Sequence, residues 1–398
     1  MNLSRLGVLI GLDLRQRVRR PGFYVLAGIF FVIVCAITWL GSLIFASMRG
    51  AGLGMFSIAI YGVLLMVVLV TPTFTGNAIN GERDQATLAP VQVTLSTTAE
   101  ILVAKLLAGW ITGLAYLAVA LPALIYAAVQ GSLAPPTSLF GSFADVALAS
   151  EPESSPVALT LLVSVLVLAV EIGIIAAIGV GLSAVIARPL FSVAATYLLV
   201  MLLTVGTLIA FGLSTLATRV DTSLLTEEPE TYSAEWIDDE PQPIRACDEG
   251  ETPPTGDYCV VDRDDLSPTC VEIRGWSEGF RTDRVWWVLA ANPFVIVADA
   301  TPTVYDSYGS PVDAFGGIKS AVRSAQIAPE TEQDAWDSPC GGRVVGDPPT
   351  AAEVEQSTVP SWFAGLALQI VLAVGLMLWG AARTRTPSRR TPPGSRIA

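Results

Sequence analysis

The sequence predicts a mainly α-helical, polytopic membrane protein with six transmembrane helices. The chain is 52% apolar and only 15% charged, whereas soluble domains carry roughly 25% charged residues. It also holds six apolar runs, each near the roughly 20 residues that a helix needs to cross a hydrocarbon core of about 30 Å. Lipid offers no partners to backbone polar groups, so we expect these runs to be helices. The runs are 23–45, 55–74, 101–129, 157–185, 190–213 and 361–381.

The chain begins with a basic segment, residues 1–21, that predicts an amphipathic elbow helix lying along the membrane interface. Leucines and valines give the segment an apolar component, and the cluster Arg17, Arg19 and Arg20 near its end suits anionic lipid head groups. Pro21 ends this helix because its ring removes a backbone donor. The alternative is a basic flank that only sets topology. The first apolar run is longer than the roughly 7–15 residues of a signal-peptide core, so we expect it to be retained.

The distribution of basic residues predicts the orientation in the membrane. Arginines precede the first run, follow the second and fourth, and crowd the tail 383–398, and flanking Lys and Arg favour the cytoplasm. We therefore expect both termini inside, the six spans within 22–213 and 361–382, and residues 214–360 outside. The expected location is a bacterial cell membrane.

The insert 214–360 predicts an acidic extracytoplasmic domain of mixed α/β structure, stapled by disulfides. It carries 28 of the 36 acidic residues and 9 of the 23 basic ones, a net charge of −19. Four of the five cysteines lie in it, and an extracytoplasmic setting favours two bridges among three possible pairings. A zinc site is disfavoured because close CxxC pairs and histidines are absent from the sequence, so no metal is expected. The four cysteines are Cys247, Cys259, Cys270 and Cys340.

Catalytic motifs are missing from the sequence. There is no GxxxxGK[ST] phosphate loop and no histidine for a hydrolase triad, so we expect neither an enzyme nor a bound cofactor. Glu171 lies in the middle of the fourth run, where a charge is costly. It predicts a contact with substrate or a proton; the structural alternatives are a hydrogen bond to a neighbouring helix or a protonated carboxyl group. Lys105 lies near the start of the third run, where its stem can snorkel, and needs no special role.

The most specific pattern follows the second run, in the loop 76–100. The stretch GERDQATL at 81–88, then Thr94, then Glu100-Ile101-Leu102 and Lys105 resembles the ABC-2 type permease family, with the family's spacing kept from Glu82 to Lys105. Asn292-Pro293-Phe294 also looks like the element that often precedes that family's last helix. Ala86, Ala89 and Leu95 depart from the pattern, which usually has Gly, an acid and Pro there. The resemblance covers the membrane region but not the large insert.

The resemblance implies a transporter subunit without its own motor. The loop 76–100 would dock on a separate ATP-binding subunit, which would bind ATP and Mg²⁺, and a second permease copy, identical or paralogous, would complete the pore. Membrane lipids are expected partners and nucleic acid is not. The cargo implied is a lipid, a drug-like molecule or another amphiphile. The alternative is a non-transporting sensor or scaffold that displays the acidic insert. The implied ATPase-coupling residues are Glu82, Arg83, Asp84, Thr87 and Leu88.

Overall fold

The computed structural model of the chain is predominantly helical. It describes residues 3–45, 51–84, 97–133, 154–229, 233–237, 240–247, 258–260, 270–306, 308–328, 332–334 and 349–384. Six helical spans in these ranges are long and apolar enough to cross a membrane, which confirms the predicted number of spans and a multi-pass membrane architecture. They are α2 (Pro21–Phe45), α3 (Ala51–Thr75), α5 (Thr98–Leu133), α6 (Ser154–Val185), the composite α7 (Pro189–Met201) and α8 (Thr207–Ala217), and α13 (Trp362–Thr384).

The fifth span is one helix with a local widening. A π-helical turn, Leu202–Gly206, joins α7 to α8. Such a turn inserts one residue into the helical ladder and shifts backbone carbonyls away from their usual partners. The carbonyl of Thr204 lies in this turn and accepts a hydrogen bond from a side chain outside the span, as described below.

A short amphipathic helix, α1 (Leu3–Val18), precedes the spans, as the sequence predicts. It ends with Arg15 and Arg17 in its last turn, where basic side chains suit the negative end of the helix dipole. The α1 helix packs mainly against α5 and also touches α2. We call the end of the bundle that carries α1 the elbow end.

The centre of the bundle is α3, which packs against α2, α5 and α6. Phe30, Ile60, Leu64, Leu168 and Ile172 are almost fully buried in the main apolar cluster. In contrast, α2 and the fifth span expose long rows of large apolar side chains, which is expected where lipid or another chain covers a helix.

The last span, α13, runs beside α6 in the same direction. A Cβ placed on Gly181 would lie 2.9 Å from Leu376 Cβ, and one on Gly380 would lie 2.7 Å from Ala184 Cβ. Residue numbers therefore rise together along the two helices, which fixes their relative register.

The insert divides differently from the single domain expected at 214–360. One compact unit comprises Met1–Leu213, Val285–Ile327 and Pro349–Ala398, and the second comprises Ser214–Arg284 and Ala328–Pro348. The insert's four short helices therefore belong with the spans. We call that end of the bundle the insert end. The helices are α9 (Trp287–Ala290), α10 (Pro293–Ala300), α11 (Ala314–Ser324) and α12 (Ala351–Ser357).

The apolar sequence of α10 explains this division. Val295, Ile296 and Val297 are buried, and α10 packs against α6, α11 and α13. An apolar eight-residue helix would be costly in water and is stabilised by burial against the spans.

The described residues of the second unit are mostly strands, together with the last residues of α8 and one 3₁₀ turn (Thr282–Arg284). The insert 214–360 as a whole therefore contains both helices and strands. One sheet has the order β5 (Cys270–Phe280), β1 (Arg219–Pro229), β6 (Glu332–Asp334), with β1 antiparallel to β5 and parallel to β6. The other is an antiparallel sheet of β2 (Ser233–Ile237), β3 (Glu240–Ala246) and β4 (Tyr258–Val260).

A disulfide joins Cys247 and Cys259 in this unit. It is one of the pairs that the sequence allows. Cys270 begins β5, and Cys340 lies outside the described residues, so the second bridge stays a prediction.

Candidate functional site

The segment after the second span carries the residues predicted to couple to an ATPase. The chain turns at residues 76–79 and enters a short helix, α4 (Asn80–Asp84). Glu82, Arg83 and Asp84 lie on α4, whereas Thr87 and Leu88 lie outside the described residues. The segment 76–84 lies at the elbow end, because it continues directly from the end of α3.

Lys105 brings α4 together with two other helices at that end. Its Nζ donates to Glu82 Oε1 on α4 and, at 2.8 Å, to Asp13 Oδ1 on α1. Asp13 Oδ2 in turn accepts from Arg17 Nε and Nη2 at 3.1 and 3.0 Å. One lysine of α5 therefore ties the elbow helix to the predicted coupling residue, and we call these four side chains the Lys105 network.

Burial and neighbouring charges shift the pKa of Asp13 in opposite directions. Burial alone would raise its pKa, but the positive charges of Arg17 and Lys105 and the hydrogen bonds from them hold the pKa below its usual value. Arg17 also lies over the ring of Phe74, 5.3 Å from the centroid, a cation–π contact with the end of α3. Asp13 is thus an anion that holds two cations in place.

The coupling segment is also attached to the hairpin formed by α6 and α7. Ser183 Oγ accepts from the backbone N–H of Ile79 and Asn80 at 3.0 and 3.3 Å, and Ser192 Oγ donates to Gly76 O at 2.7 Å. The Asn80 side chain donates to the carbonyl of Ile186. These bonds satisfy buried backbone groups that would otherwise be costly.

Gly76 is required by this attachment. A Cβ at position 76 would lie 3.0 Å from Val193 Cα on α7, so a side chain there would push the hairpin away. Sequence reasoning missed Ser183, Ser192 and Asn80, because isolated small polar residues in apolar runs give no local signal of their partners.

The third span begins at a capping box. Thr97 Oγ1 accepts from Glu100 N at 3.3 Å, and Glu100 Oε2 accepts from Thr97 N at 2.9 Å. This reciprocal pair satisfies two donors at the helix start. The acidic residue of the family-like motif therefore has a structural role, and the box fixes where α5, and with it Lys105, begins.

A second polar cluster lies at the insert end, around the Asn-Pro-Phe element. Asn292 Oδ1 accepts from Phe294 N at 2.9 Å and so caps α10. Its Nδ2 donates to Thr204 O at 2.8 Å and Thr207 Oγ1 at 2.9 Å. The element predicted to precede the last helix thus binds the π-helical turn of the fifth span.

Glu171 stands apart from both clusters. It is fully buried in α6, and among the described residues neither carboxylate oxygen has a hydrogen-bond partner. The structural alternative of a hydrogen bond to a neighbouring helix is therefore not realised within the part of the chain that the structure describes.

The described ranges show no cluster of side chains arranged as a metal site. They contain no group of three or more His, Cys, Asp or Glu side chains arranged to hold a metal ion. The four charged side chains of the Lys105 network are instead bonded to one another.

No protein-family model matches the chain, and no curated protein is similar to it at a significant level. The likeness to ABC-2 type permeases therefore depends on the motif spacing between Glu82 and Lys105. The geometry adds that these two motif residues, one at each end of that spacing, are in direct contact.

Proposed function

We propose that the chain is the permease subunit of an ATP-driven ABC-2 type transporter that exports a lipid, drug-like or other amphiphilic substrate. The observation that carries the proposal is the bond between Lys105 and Glu82. It joins the segment expected to meet an ATPase to a membrane-spanning helix and, through Asp13, to the elbow helix.

The Lys105 network supports this proposal mechanically. A partner that pushes on α4 acts on α5 and α1 together, because the bonds of Lys105 cross from one helix to the next. Asp13 and Lys105 are mostly buried, where ionic hydrogen bonds are screened less than at a surface. The joint is therefore suited to transmitting a displacement.

The hairpin contacts support it further. Ser183 and Ser192 fasten residues 76–80 to α6 and α7. Movement of the coupling segment would reach the third, fourth and fifth spans at once. A scaffold that only displays an outer domain has no need for such an attachment.

The proposed complex contains two ATP-binding subunits that carry ATP and Mg²⁺, and two permease copies. Exposed apolar faces of α2 and of α7–α8 are available to lipid and to the second copy. We place the complex in a bacterial cell membrane with both termini and α4 in the cytoplasm, and with the second unit outside.

The test is purification of the full chain from its native membrane in mild detergent, followed by mass spectrometry of the proteins that accompany it. A near-stoichiometric soluble ATPase is expected. Its absence under several mild conditions, with the chain intact, would favour the sensor or scaffold.

Charge reversal provides the second arm. Changing Glu82 and Asp84 to Arg should sharply lower substrate-stimulated ATP hydrolysis by the complex, because the bond to Lys105 is lost and the acidic charges expected to meet the ATPase are reversed. Arg19→Met, an exposed change on the neighbouring elbow segment, is the control. Hydrolysis that survives the reversal unchanged would contradict the coupling assignment.

A further inference from the structure

Glu171 lies at mid-depth in its helix. It is 17 residues from the start of α6 and 14 from its end, which at 1.5 Å per residue is about 26 Å and 21 Å along the helix axis. Its side chain is fully buried and both carboxylate oxygens are unpartnered among the described residues. The carboxyl group is therefore out of contact with bulk water in the conformation observed.

No counter-ion is supplied by the helices that pack against α6. Neither α3 nor α7 contains a charged residue. Lys105 of α5 is bonded to Asp13 and Glu82, and Arg383 of α13 lies over the Trp379 ring at 5.8 Å. The other titratable groups on these helices are Glu100, Asp299, Tyr61, Tyr116, Tyr126 and Tyr197, none of which is a cation.

A buried carboxylate without a counter-ion or donor is strongly disfavoured relative to the neutral acid. Asp299 gives the contrast within the same unit, because it is equally buried but bonded to Arg323 and to three further donors. Among the described residues Glu171 has no such partner, so the neutral form is the one compatible with its surroundings.

The bundle also holds an acceptor that has no donor. In the described spans, Gln369 Oε1 on α13 is the other buried side-chain oxygen without a partner. Because α6 and α13 run in the same direction with Ala177 and Ala373 in one apolar cluster, the two side chains lie at similar depth. Glu171 is six residues before Ala177 and Gln369 four before Ala373, an axial difference of about 3 Å.

We propose that Glu171 is a proton-binding site in the core of the helix bundle. It is neutral in this conformation and becomes ionised only in a conformation that brings water or a cation to it. The proton is thereby linked to opening of the bundle at the depth of Glu171 and Gln369. The proposal stands on burial and missing partners and is independent of the transport function.

The test is infrared spectroscopy of the purified full chain in lipid nanodiscs. The carbonyl stretch of a protonated carboxylic acid is separate from the carboxylate stretches, so it reports the neutral form directly. The measurement is made at about pH 7, where Asp313, whose pKa is about 6, is mostly ionised. A protonated-acid band is expected in the wild type and not in Glu171→Gln. The same band in both proteins, or in neither, would overturn the proposal.

Two further measurements separate a proton site from a change in packing. Glu171→Asp keeps a carboxyl group, so the band should persist at a shifted frequency. Unfolding at neutral pH should release about one more proton from the wild type than from Glu171→Gln, because the exposed carboxyl ionises. Equal proton release would show that Glu171 is already ionised in the fold. Loss of ATPase binding would leave all of these results unchanged, so the two proposals fail separately.

Discussion

Arg323 Nε donates to Asp299 Oδ1 at 2.7 Å, and both side chains are almost completely buried. The other carboxylate oxygen accepts from Ser361 N at 2.6 Å, Ser361 Oγ at 2.9 Å and Trp362 N at 2.9 Å. One aspartate of α10 therefore pairs with α11 and also caps the start of the last span. A carboxylate at a helix N-terminus is further favoured by the helix dipole.

Removing only the arginine of this pair should strongly lower the stability of the fold. Arg323→Met leaves Asp299 charged and buried without its counter-ion, and such changes cost about 3–5 kcal/mol. We expect a clear drop in the thermal unfolding midpoint of the detergent-solubilised chain. The control is Arg281→Gln, which breaks the more exposed pair with Asp283 and should change the midpoint far less. Equal losses would show that the buried pair adds nothing beyond surface charge.

Gly365 on the last span should tolerate no side chain. A Cβ there would lie 1.7 Å from the carbonyl oxygen of Ala290, so Gly365→Ala must displace α9 or α13. Overpacking of this kind costs about 1–3 kcal/mol.

The matched control for that change is Gly375→Ala on the same helix. A Cβ at position 375 meets no atom within 4 Å, and replacing a mid-helix glycine by alanine stabilises by about 0.5–1 kcal/mol. The unfolding midpoint should therefore fall for the first variant and hold or rise for the second. Two variants of equal stability would argue against the close contact between Gly365 and the carbonyl oxygen of Ala290.

Asp313 should make stability depend on pH. Burial raises its pKa from 3.8 to about 6, opposed by hydrogen bonds from Gly316 and Phe315 and by Lys319. The folded state therefore binds the proton more tightly than the unfolded state. This contribution is complete below about pH 3.8 and is lost as the pH rises through about 6. At 1.36 kcal/mol per pKa unit, it amounts to about 3 kcal/mol.

Asp313→Asn removes this titration but keeps an oxygen that can accept from Gly316 N. The stability of the variant relative to the wild type should rise between about pH 4.5 and 7.5. Unfolding midpoints across that range provide the measurement. A difference that is constant with pH would contradict the raised pKa.

Lys105→Met should loosen the elbow end while leaving the apolar stem of the side chain in place. Glu82 loses the bond to Lys105, and Asp13 keeps its bonds to Arg17. Removing one ionic hydrogen-bond partner costs about 1.5–3 kcal/mol. In the proposed complex, substrate stimulation of ATP hydrolysis should fall while basal hydrolysis by the ATPase remains.

Arg19→Met is the matched control, since it removes a nearby positive charge from an exposed position. If both variants lower stimulation equally, the general charge of the elbow end matters and the Lys105 bonds do not.

The spans could be predicted because their signal is local. Each apolar run nearly matches an observed helix, and Pro21 and Pro189 mark the starts of α2 and α7. The partners of Lys105 could not be predicted from a snorkelling argument, because Asp13 lies 92 residues away along the chain. A solitary lysine in an apolar run gives no sign of which distant carboxylates will meet it.

The division of the insert was also beyond local reasoning. The expected boundary fell at the ends of the apolar runs, but α10 is too short to register as a membrane segment and yet is buried with the spans. Likewise, the sequence marks Glu171 as unusual because of its charge. Only the packed structure shows that the helices around it supply no cation.

The contacts of Asn292 and Asp299 also limit when the helix bundle can be completed during synthesis of the chain. The first five spans end at residue 217, but the carbonyl of Thr204 acquires its donor only when residue 292 has been synthesised. The sixth span receives its cap from Asp299 and fits against Ala290 through Gly365. The first five spans are therefore in the bilayer without these contacts while the ribosome synthesises the more than one hundred residues up to the sixth span. The insert end of the bundle therefore cannot become native before the insert and the start of the sixth span have been made, and until then its polar groups are open to a membrane chaperone or a quality-control protease.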